Sequence, residues 1–190
     1  MESTSLVDLA LEYCQHFHDG QFRKGSNNPY STHPIAVAGI LEKYGYSDVV
    51  TQCIALLHDV VEDTDVITRE IKERFGYEIA NGVFILSKNT INSATFKSLE
   101  VALSTDIALN FEQVYKVRIA LARETVQRVK IADMIHNTQD LVSLKKPESI
   151  EKKLHDATHF YIPLGERVAP LMVKELKHNL DNYRRSIEKT

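Results

Sequence analysis

The sequence contains few of the residues that break helices. Its 190 residues include only 7 glycines and 5 prolines, which is about half of their average use. This scarcity leaves little material for the many turns of a β-sandwich or barrel. No period-two strand pattern is visible either, so the sequence predicts an all-α domain built from many helices. Hydrophobic residues make up 43% of the chain, which is enough for a buried core and excludes disorder as the main state.

Further absences limit the function. The 23 basic residues are outnumbered by 26 acidic ones, for a net charge of −3, so we expect no nucleic-acid partner. No leader of basic and apolar residues is visible and no apolar run approaches about 18 residues, so we expect no signal peptide, no membrane span and a cytoplasmic location. Cys14 and Cys53 show no zinc-site spacing and fall on apolar helix faces, which predicts buried, reduced thiols.

Apolar periodicity and capping signals divide the chain into helices and one early loop. Residues 6–17 carry an amphipathic stripe, and the segment 19–29 is rich in turn-forming residues. The same signals predict helices over 34–44, 48–60 with Ser47 as N-cap, 68–75, 77–86, 96–121, 124–144, 147–161 and 166–188. The length favours a single domain over 1–190, with a core over roughly 6–145 and C-terminal helices 148–188 packed on it.

The most informative stretch is residues 55–64, with the sequence ALLHDVVEDT. Four side chains that can bind a metal or move a proton interrupt an apolar helix. On one continuous helix, His58 and Glu62 share a face, and Asp59 and Asp63 share the neighbouring face. A divalent cation would offset the cost of burying His58 beside Asp59, and nitrogen plus oxygen donors suit Mn²⁺, Fe²⁺ or Zn²⁺. The alternative is a hydrogen-bonded pair at a solvated helix end.

Two further islands place polar side chains in apolar surroundings. Asp133 and Asn137 are four residues apart on one predicted helix, and His33 stands at the start of another. The three islands together offer two histidines and two aspartates, namely His33, His58, Asp59 and Asp133. Such a set leaves metal positions open for water and substrate. Taken alone, Asp133 could instead form an ion pair with Lys130 or Arg128.

These motifs resemble those of a known enzyme family. The resemblance extends over residues 15–145 and is carried by DGQFRK at 19–24, HPIAVA at 33–38, LLHDVVEDT at 56–64, FG at 75–76 and KIAD at 130–133. It is to the HD superfamily, specifically the hydrolase domain of RelA/SpoT-type alarmone enzymes and the stand-alone small alarmone hydrolases of metazoan type. The chain is too short for the synthetase and regulatory domains of that family, so we expect the stand-alone type.

The resemblance implies an α-helical enzyme that hydrolyses the 3′-pyrophosphate of (p)ppGpp, usually with Mn²⁺. Its metal ligands match His33, His58, Asp59 and Asp133, and its catalytic acidic pair matches Glu62 and Asp63. Its nucleotide-binding positions match Arg23, Lys24 and Asn137. Lys88 is a further phosphate contact by position, with an ordinary surface lysine as the alternative. The implied partner is a small nucleotide, and the protein would be a monomer or a homodimer.

Some positions depart from the family pattern. Gln139 stands where the long enzymes have arginine. This difference leaves open which nucleobase the substrate carries, so the substrate could be (p)ppApp or another 2′- or 3′-phosphorylated nucleotide such as NADPH. A different class of function also remains, namely a non-catalytic module that binds or neutralises alarmones. Tyr115, Lys116 and Arg118, about 15 residues before Asp133, are additional candidates for phosphate contacts.

Overall fold

A computed structural model describes residues 4–23, 26–102, 109–139, 141 and 147–188. Within these ranges the protein is helical and contains no β-strand, which confirms the predicted all-α fold. The helices are α1 (Leu6–Phe17), α2 (Thr32–Lys43), α3 (Val49–Leu57), α4 (Val60–Asp63), α5 (Thr68–Phe75), α6 (Tyr77–Leu86), α7 (Ser93–Ala102), α8 (Phe111–Ala120), α9 (Glu124–Gln139), α10 (Pro147–Asp156), α11 (Ile162–Val168) and α12 (Pro170–Ile187). A 3₁₀ turn spans Lys88–Thr90, and a π-helical segment, Ala157–Tyr161, joins α10 to α11.

The predicted helix over 48–60 is wrong at both ends. Asp48, not Ser47, is the N-cap, because its carboxylate accepts the N–H of Thr51 at 3.0 Å. At the other end α3 stops at Leu57. The His58 ring bonds through Nδ1 to the carbonyl of Ala55 at 2.7 Å. A continuing helix would use that carbonyl for the N–H four residues later, so the side chain competes with the backbone ladder.

Other predicted boundaries also shift. The region 96–121 contains two helices, α7 and α8, with 103–108 outside the described residues. The helix predicted over 124–144 is described to Gln139, and 140 and 142–146 lie outside the described ranges. The single helix expected over 166–188 is two helices. Pro163 lies in the first turn of α11, where a missing N–H is tolerated, and the break falls at Ala169 and Pro170.

Helix α9 lies at the centre of the packing. It contacts α2 and α3 on one side and α11 and α12 on the other, and one cluster of buried hydrophobic residues extends from Ala10 to Leu180. Cys14 and Cys53 are both buried free thiols, as predicted. Burial raises their pKa values to about 12 and about 11. Of the helices that the structure describes, none has the length and apolar character to cross a membrane.

One close helix contact yields a test of the packing. A Cβ at Gly165 in α11 would lie 2.5 Å from Cγ2 of Val173 and 3.2 Å from Cδ1 of Ile131. Valine is stiff at χ1, so we expect Gly165→Ala to lower the free energy of unfolding by about 1–3 kcal/mol. Urea unfolding followed by circular dichroism measures the change.

Gly39 provides the matched control. It is an exposed residue of α2, and no described atom lies within 4 Å of a Cβ built there. Gly39→Ala should raise the free energy of unfolding by about 0.5–1 kcal/mol, because alanine loses less backbone entropy than glycine in a helix. Equal stabilisation by both substitutions would contradict the described packing of α11.

Candidate active site

Three helical segments bring the two histidines and two aspartates together. His33 is near the start of α2, His58 and Asp59 lie between α3 and α4, and Asp133 is on α9. His33 Nε2 is 3.1 Å from Asp133 Oδ1 and 3.5 Å from Asp59 Oδ2, and His58 Nε2 is 3.2 Å from Asp59 Oδ2. The donor atoms of His33, His58 and Asp59 all lie within 4.8 Å of one another, so these residues can hold a metal ion. Asp133 adjoins this group.

Each imidazole is held through Nδ1 and turns Nε2 towards the carboxylates. His58 Nδ1 lies 2.7 Å from the carbonyl of Ala55, and a carbonyl can only accept, so Nδ1 carries a proton. His33 Nδ1 lies 2.7 Å from Nδ1 of His136, so one of the two rings donates to the other. His58 Nε2 is buried and makes no hydrogen bond to any described residue. This ring nitrogen, which faces two carboxylates, fits a metal ligand.

Burial and neighbouring charges shift the pKa values of the two histidines and the two aspartates. Burial opposes the charged form of His58, but Asp59 and Asp133 outweigh it and raise the pKa of His58 to about 9. For His33 burial prevails and lowers the pKa. Burial would raise the pKa of Asp133, yet Lys130, whose Nζ is 2.6 Å from Oδ2, holds it well below its usual range. The pKa of Asp59 is lowered as well, because His58 outweighs burial. Both aspartates are therefore ionised at neutral pH.

The acidic pair at the end of α4, Glu62 and Asp63, is fixed from two directions. The hydroxyl oxygen of Tyr30 lies 2.7 Å from Asp59 Oδ2 and 2.8 Å from Asp63 Oδ2, where it can share its one proton between them. Burial and these carboxylates raise the pKa of Tyr30. Glu62 Oε2 accepts the backbone N–H of Lys88 at 2.7 Å. Because α3 ends at Leu57, the expectation of one continuous helix is wrong. Asp59 and Asp63 nevertheless share a face as expected, since the Asp63 N–H donates to the Asp59 carbonyl at 2.9 Å and both carboxylates meet the Tyr30 hydroxyl.

All four polar side chains of this stretch nevertheless line the same cavity of about 230 Å³. The cavity is lined by the predicted metal, catalytic and nucleotide-binding residues that the structure describes: Arg23, His33, His58, Asp59, Glu62, Asp63, Lys88, Asp133 and Asn137. Lys24 lies outside the described residues. Arg23 donates from Nη2 to Asn137 Oδ1 at 3.3 Å, and Asn137 donates to Asp133, so a chain of hydrogen bonds links the cavity rim to its base.

A larger cavity of about 550 Å³ adjoins the first. The two share Arg23, Tyr30, Asp63 and Asn137. The larger one adds Gln21, Phe22 and Lys153. The combined space is therefore polar and metal-binding at one end and partly aromatic at the other.

Some residues of the cavity were not predicted as site residues from the sequence. Tyr30, Lys130 and Leu86 line it, and Tyr115 does so as suggested. The sequence did offer signals, because Tyr30 precedes His33 by three residues and Lys130 precedes Asp133 by three on one helix, a spacing that brings side chains together.

The other two suggested phosphate contacts are wrong. Lys116 pairs with Asp156, and Arg118 donates to the carbonyl of Ser87. Neither is among the described residues that line the cavity. His18, the C-cap of α1, is buried against Tyr30, with ring centroids 4.7 Å apart.

Known proteins are similar to this chain in sequence and in fold. The profile of a family described as HD domain matches residues 10–169. The chain is 34% identical over 174 residues to a probable GTP pyrophosphokinase of Mycobacterium leprae, covering 90% of this chain and 20% of that protein. It is 33% identical over 166 residues to a guanosine-3′,5′-bis(diphosphate) 3′-pyrophosphohydrolase of Haemophilus influenzae, covering 87% and 22%. The chain thus spans about a fifth of the length of these curated relatives.

A solved structure extends the similarity to the whole fold. It comes from work on a metazoan ortholog of SpoT that hydrolyses ppGpp and acts in starvation responses. It superposes with a TM-score of 0.75 at 21% identity and covers 96% of this chain and 98% of its own. The match of the family profile to most of the sequence shows that the chain belongs to the HD domain family.

Proposed function

We propose that this protein hydrolyses the 3′-pyrophosphate of guanosine alarmones, converting (p)ppGpp to GDP or GTP and pyrophosphate. One observation carries the proposal: a single cavity collects a group that can hold a metal, two further carboxylates and several cationic side chains. The similarity to a 3′-pyrophosphohydrolase of H. influenzae supports the same reaction. This hydrolase and the relatives named as pyrophosphokinases all match this chain over only about a fifth of their length.

The residues that would hold the ion are His33, His58, Asp59 and Asp133. Two imidazole nitrogens and carboxylate oxygens form a mixed donor set that suits Mn²⁺, which we propose as the bound metal. The hydrogen bonds at Nδ1 leave Nε2 of each ring to face the ion. When bound, such an ion polarises a phosphoryl oxygen and lowers the pKa of a bound water.

Glu62 and Asp63 are the residues that would orient the attacking water and accept its proton. In the proposed reaction the water oxygen adds to the phosphorus bonded to O3′, the O3′–P bond breaks, and O3′ takes up a proton. Each carboxylate has one oxygen engaged, Glu62 by the N–H of Lys88 and Asp63 by Tyr30. Among the described residues, the other oxygen of each carboxylate has no hydrogen-bond partner and could receive the proton, so either residue can be the base.

Cationic and amide side chains of the cavity would bind the nucleotide. Arg23 presents a fork of donors that suits phosphate or the face of a base. Lys88 contributes a second charge, Asn137 an amide, and we include Lys24, the neighbour of Arg23, on the basis of its position in the sequence. Lys130 is less suited to substrate because it is already paired with Asp133.

The proposal extends to the setting of the enzyme. We place it in the cytoplasm as one domain over residues 1–190, acting as a monomer or homodimer on a free nucleotide. Neither a nucleic acid nor a membrane is required for the proposed reaction, since all groups used come from one chain. The C-terminal helices α11 and α12 pack on α9, which carries Asp133, and so support the site from behind.

The first test is hydrolysis itself. The purified protein with Mn²⁺ should release pyrophosphate from (p)ppGpp, and EDTA should stop the release until Mn²⁺ is restored. Asp59→Asn keeps the shape but weakens a ligand, so we expect kcat/KM to fall by about 10³-fold, the equivalent of several kcal/mol of lost stabilisation.

The same assay separates the alternatives. Faster turnover of (p)ppApp or NADPH than of (p)ppGpp would move the assignment to that substrate. If the wild type and Asp59→Asn bound (p)ppGpp with equal affinity and neither released pyrophosphate, the protein would be a binding module and not an enzyme.

A second test concerns nucleotide binding by Arg23. Arg23→Ala removes a fork donor at the junction of the two cavities, so KM should rise by about tenfold or more, in line with the loss of a charged hydrogen bond. Arg69→Ala is the control, because Arg69 is an exposed arginine of α5 that pairs with Glu73. Steady-state kinetics on (p)ppGpp provide the measurement, and equal KM values for the two variants would count against the assigned role of Arg23.

A further inference from the structure

A buried arginine stands behind the site without touching it. Arg118 on α8 is only 8% exposed, and its hydrogen bonds go to neutral oxygens. Nη1 donates to Thr90 Oγ1 at 2.7 Å and Nη2 donates to the carbonyl of Ser87 at 2.8 Å. Nε is buried with no hydrogen-bond partner in the described part of the chain. The guanidinium lies 5.6 Å from the ring centroids of Phe84 and Tyr115, but it forms no ion pair with any described carboxylate. A buried charge without an ionic partner is costly, so the position of Arg118 calls for an explanation.

The hydrogen bonds of Arg118 hold the short segment that follows α6. Residues 87–90 form an extended residue and a 3₁₀ turn, and the guanidinium joins the beginning of this segment to its end. Tyr115, one turn earlier on α8, donates its hydroxyl to the carbonyl of Leu86 at 2.9 Å. Helix α8 therefore fixes two consecutive carbonyls of the backbone before Lys88.

The fixed segment in turn holds Glu62. The N–H of Lys88 donates to Glu62 Oε2 at 2.7 Å, and the side chain of Asn89 donates to the carbonyl of Val61 at 2.6 Å. A backbone N–H cannot rotate away as a side chain can, so its direction depends on the peptide planes around it. These planes are the ones that Arg118 and Tyr115 bind.

We propose that Arg118 is a positioning residue for Glu62, acting through the 87–90 turn and the N–H of Lys88. The inference rests on the proposed function, since Glu62 is one of the two carboxylates assigned to the attacking water. Arg118 itself meets neither substrate nor metal in this arrangement. Its role is to keep the Lys88 N–H directed at one carboxylate oxygen, so that the other oxygen faces the cavity.

A matched pair of variants at Lys88 isolates the N–H. Lys88→Ala removes the side chain and keeps the N–H, whereas Lys88→Pro removes both. Proline fits this backbone because Ser87 is extended, with φ −82° and ψ 116°, and position 88 opens the 3₁₀ turn. We expect kcat for (p)ppGpp to be about 10- to 100-fold lower in Lys88→Pro than in Lys88→Ala, as for other losses of an outer-shell hydrogen bond, with similar KM. Equal kcat values would overturn the proposal.

A second pair tests Arg118. Lysine cannot reproduce the fork that reaches both Ser87 and Thr90, so Arg118→Lys should lower kcat by about tenfold while KM stays similar. Arg128→Lys is the control, since Arg128 Nε donates to the carbonyl of Val168 at 3.0 Å on another side of the molecule. A loss of kcat that is equal in both variants would indicate general destabilisation and would contradict the positioning role.

Hydrogen exchange separates this inference from the activity. The Lys88 amide, followed by NMR, should exchange about tenfold faster or more in Arg118→Lys than in the wild type and in Arg128→Lys, because its peptide plane is released. This result does not require turnover. If the wild type does not hydrolyse (p)ppGpp, the proposed function falls while the exchange data still decide whether Arg118 holds the turn. Unchanged protection of Lys88 would overturn the inference even in an active enzyme.

Discussion

The burial of the Asp133 carboxylate and the partial burial of the Asp59 carboxylate, beside two buried imidazoles, are the constraint that the rest of this structure satisfies. Charges removed from water are costly unless each one meets a partner. Asp133 meets Lys130 and His33, and Asp59 meets Tyr30 and His58. These partners come from three different parts of the chain: the start of α2, the link between α3 and α4, and α9. The helices must therefore pack in one arrangement, since a small displacement of α2 or α9 would leave a buried carboxylate without its counter-charge.

The interruption between α3 and α4 serves the same constraint. His58 and Asp59 both keep helical backbone angles, φ −60° and ψ −30° at His58 and φ −98° and ψ −10° at Asp59. The hydrogen bond from the His58 ring to Ala55 lies at the end of α3, and His58 Nε2 lies 3.2 Å from Asp59 Oδ2. One interaction thus fixes the ring at the helix end, beside the neighbouring carboxylate.

The sequence predicts the chemistry of the site better than its geometry. His58, Asp59, Glu62 and Asp63 form one short polar island in an apolar helix, and a local contrast of this kind is visible without a structure. The helix end at Leu57 was missed, because periodicity reports apolar spacing and carries no information on a side chain that competes for a backbone carbonyl. The bond between Glu62 and Lys88 was missed because it joins residues 26 positions apart, and only the packing determines such a pair.

The contacts of Arg118 are a further example of packing that the sequence does not predict. Because Arg118 is a cation about 15 residues before Asp133, the sequence suggests a phosphate contact. In the structure its side chain does not line the cavity and donates to the backbone carbonyl of Ser87 instead. The residues that line the smaller cavity are consequently linked to one another and to their supporting residues by hydrogen bonds. In the proposed reaction the pyrophosphate would occupy this smaller cavity, and the nucleoside would extend towards the larger cavity. Selection between nucleobases would then fall to residues that line the larger cavity, such as Phe22 and Lys153. The exposed Gln139 at the end of α9 is outside the described lining of both cavities.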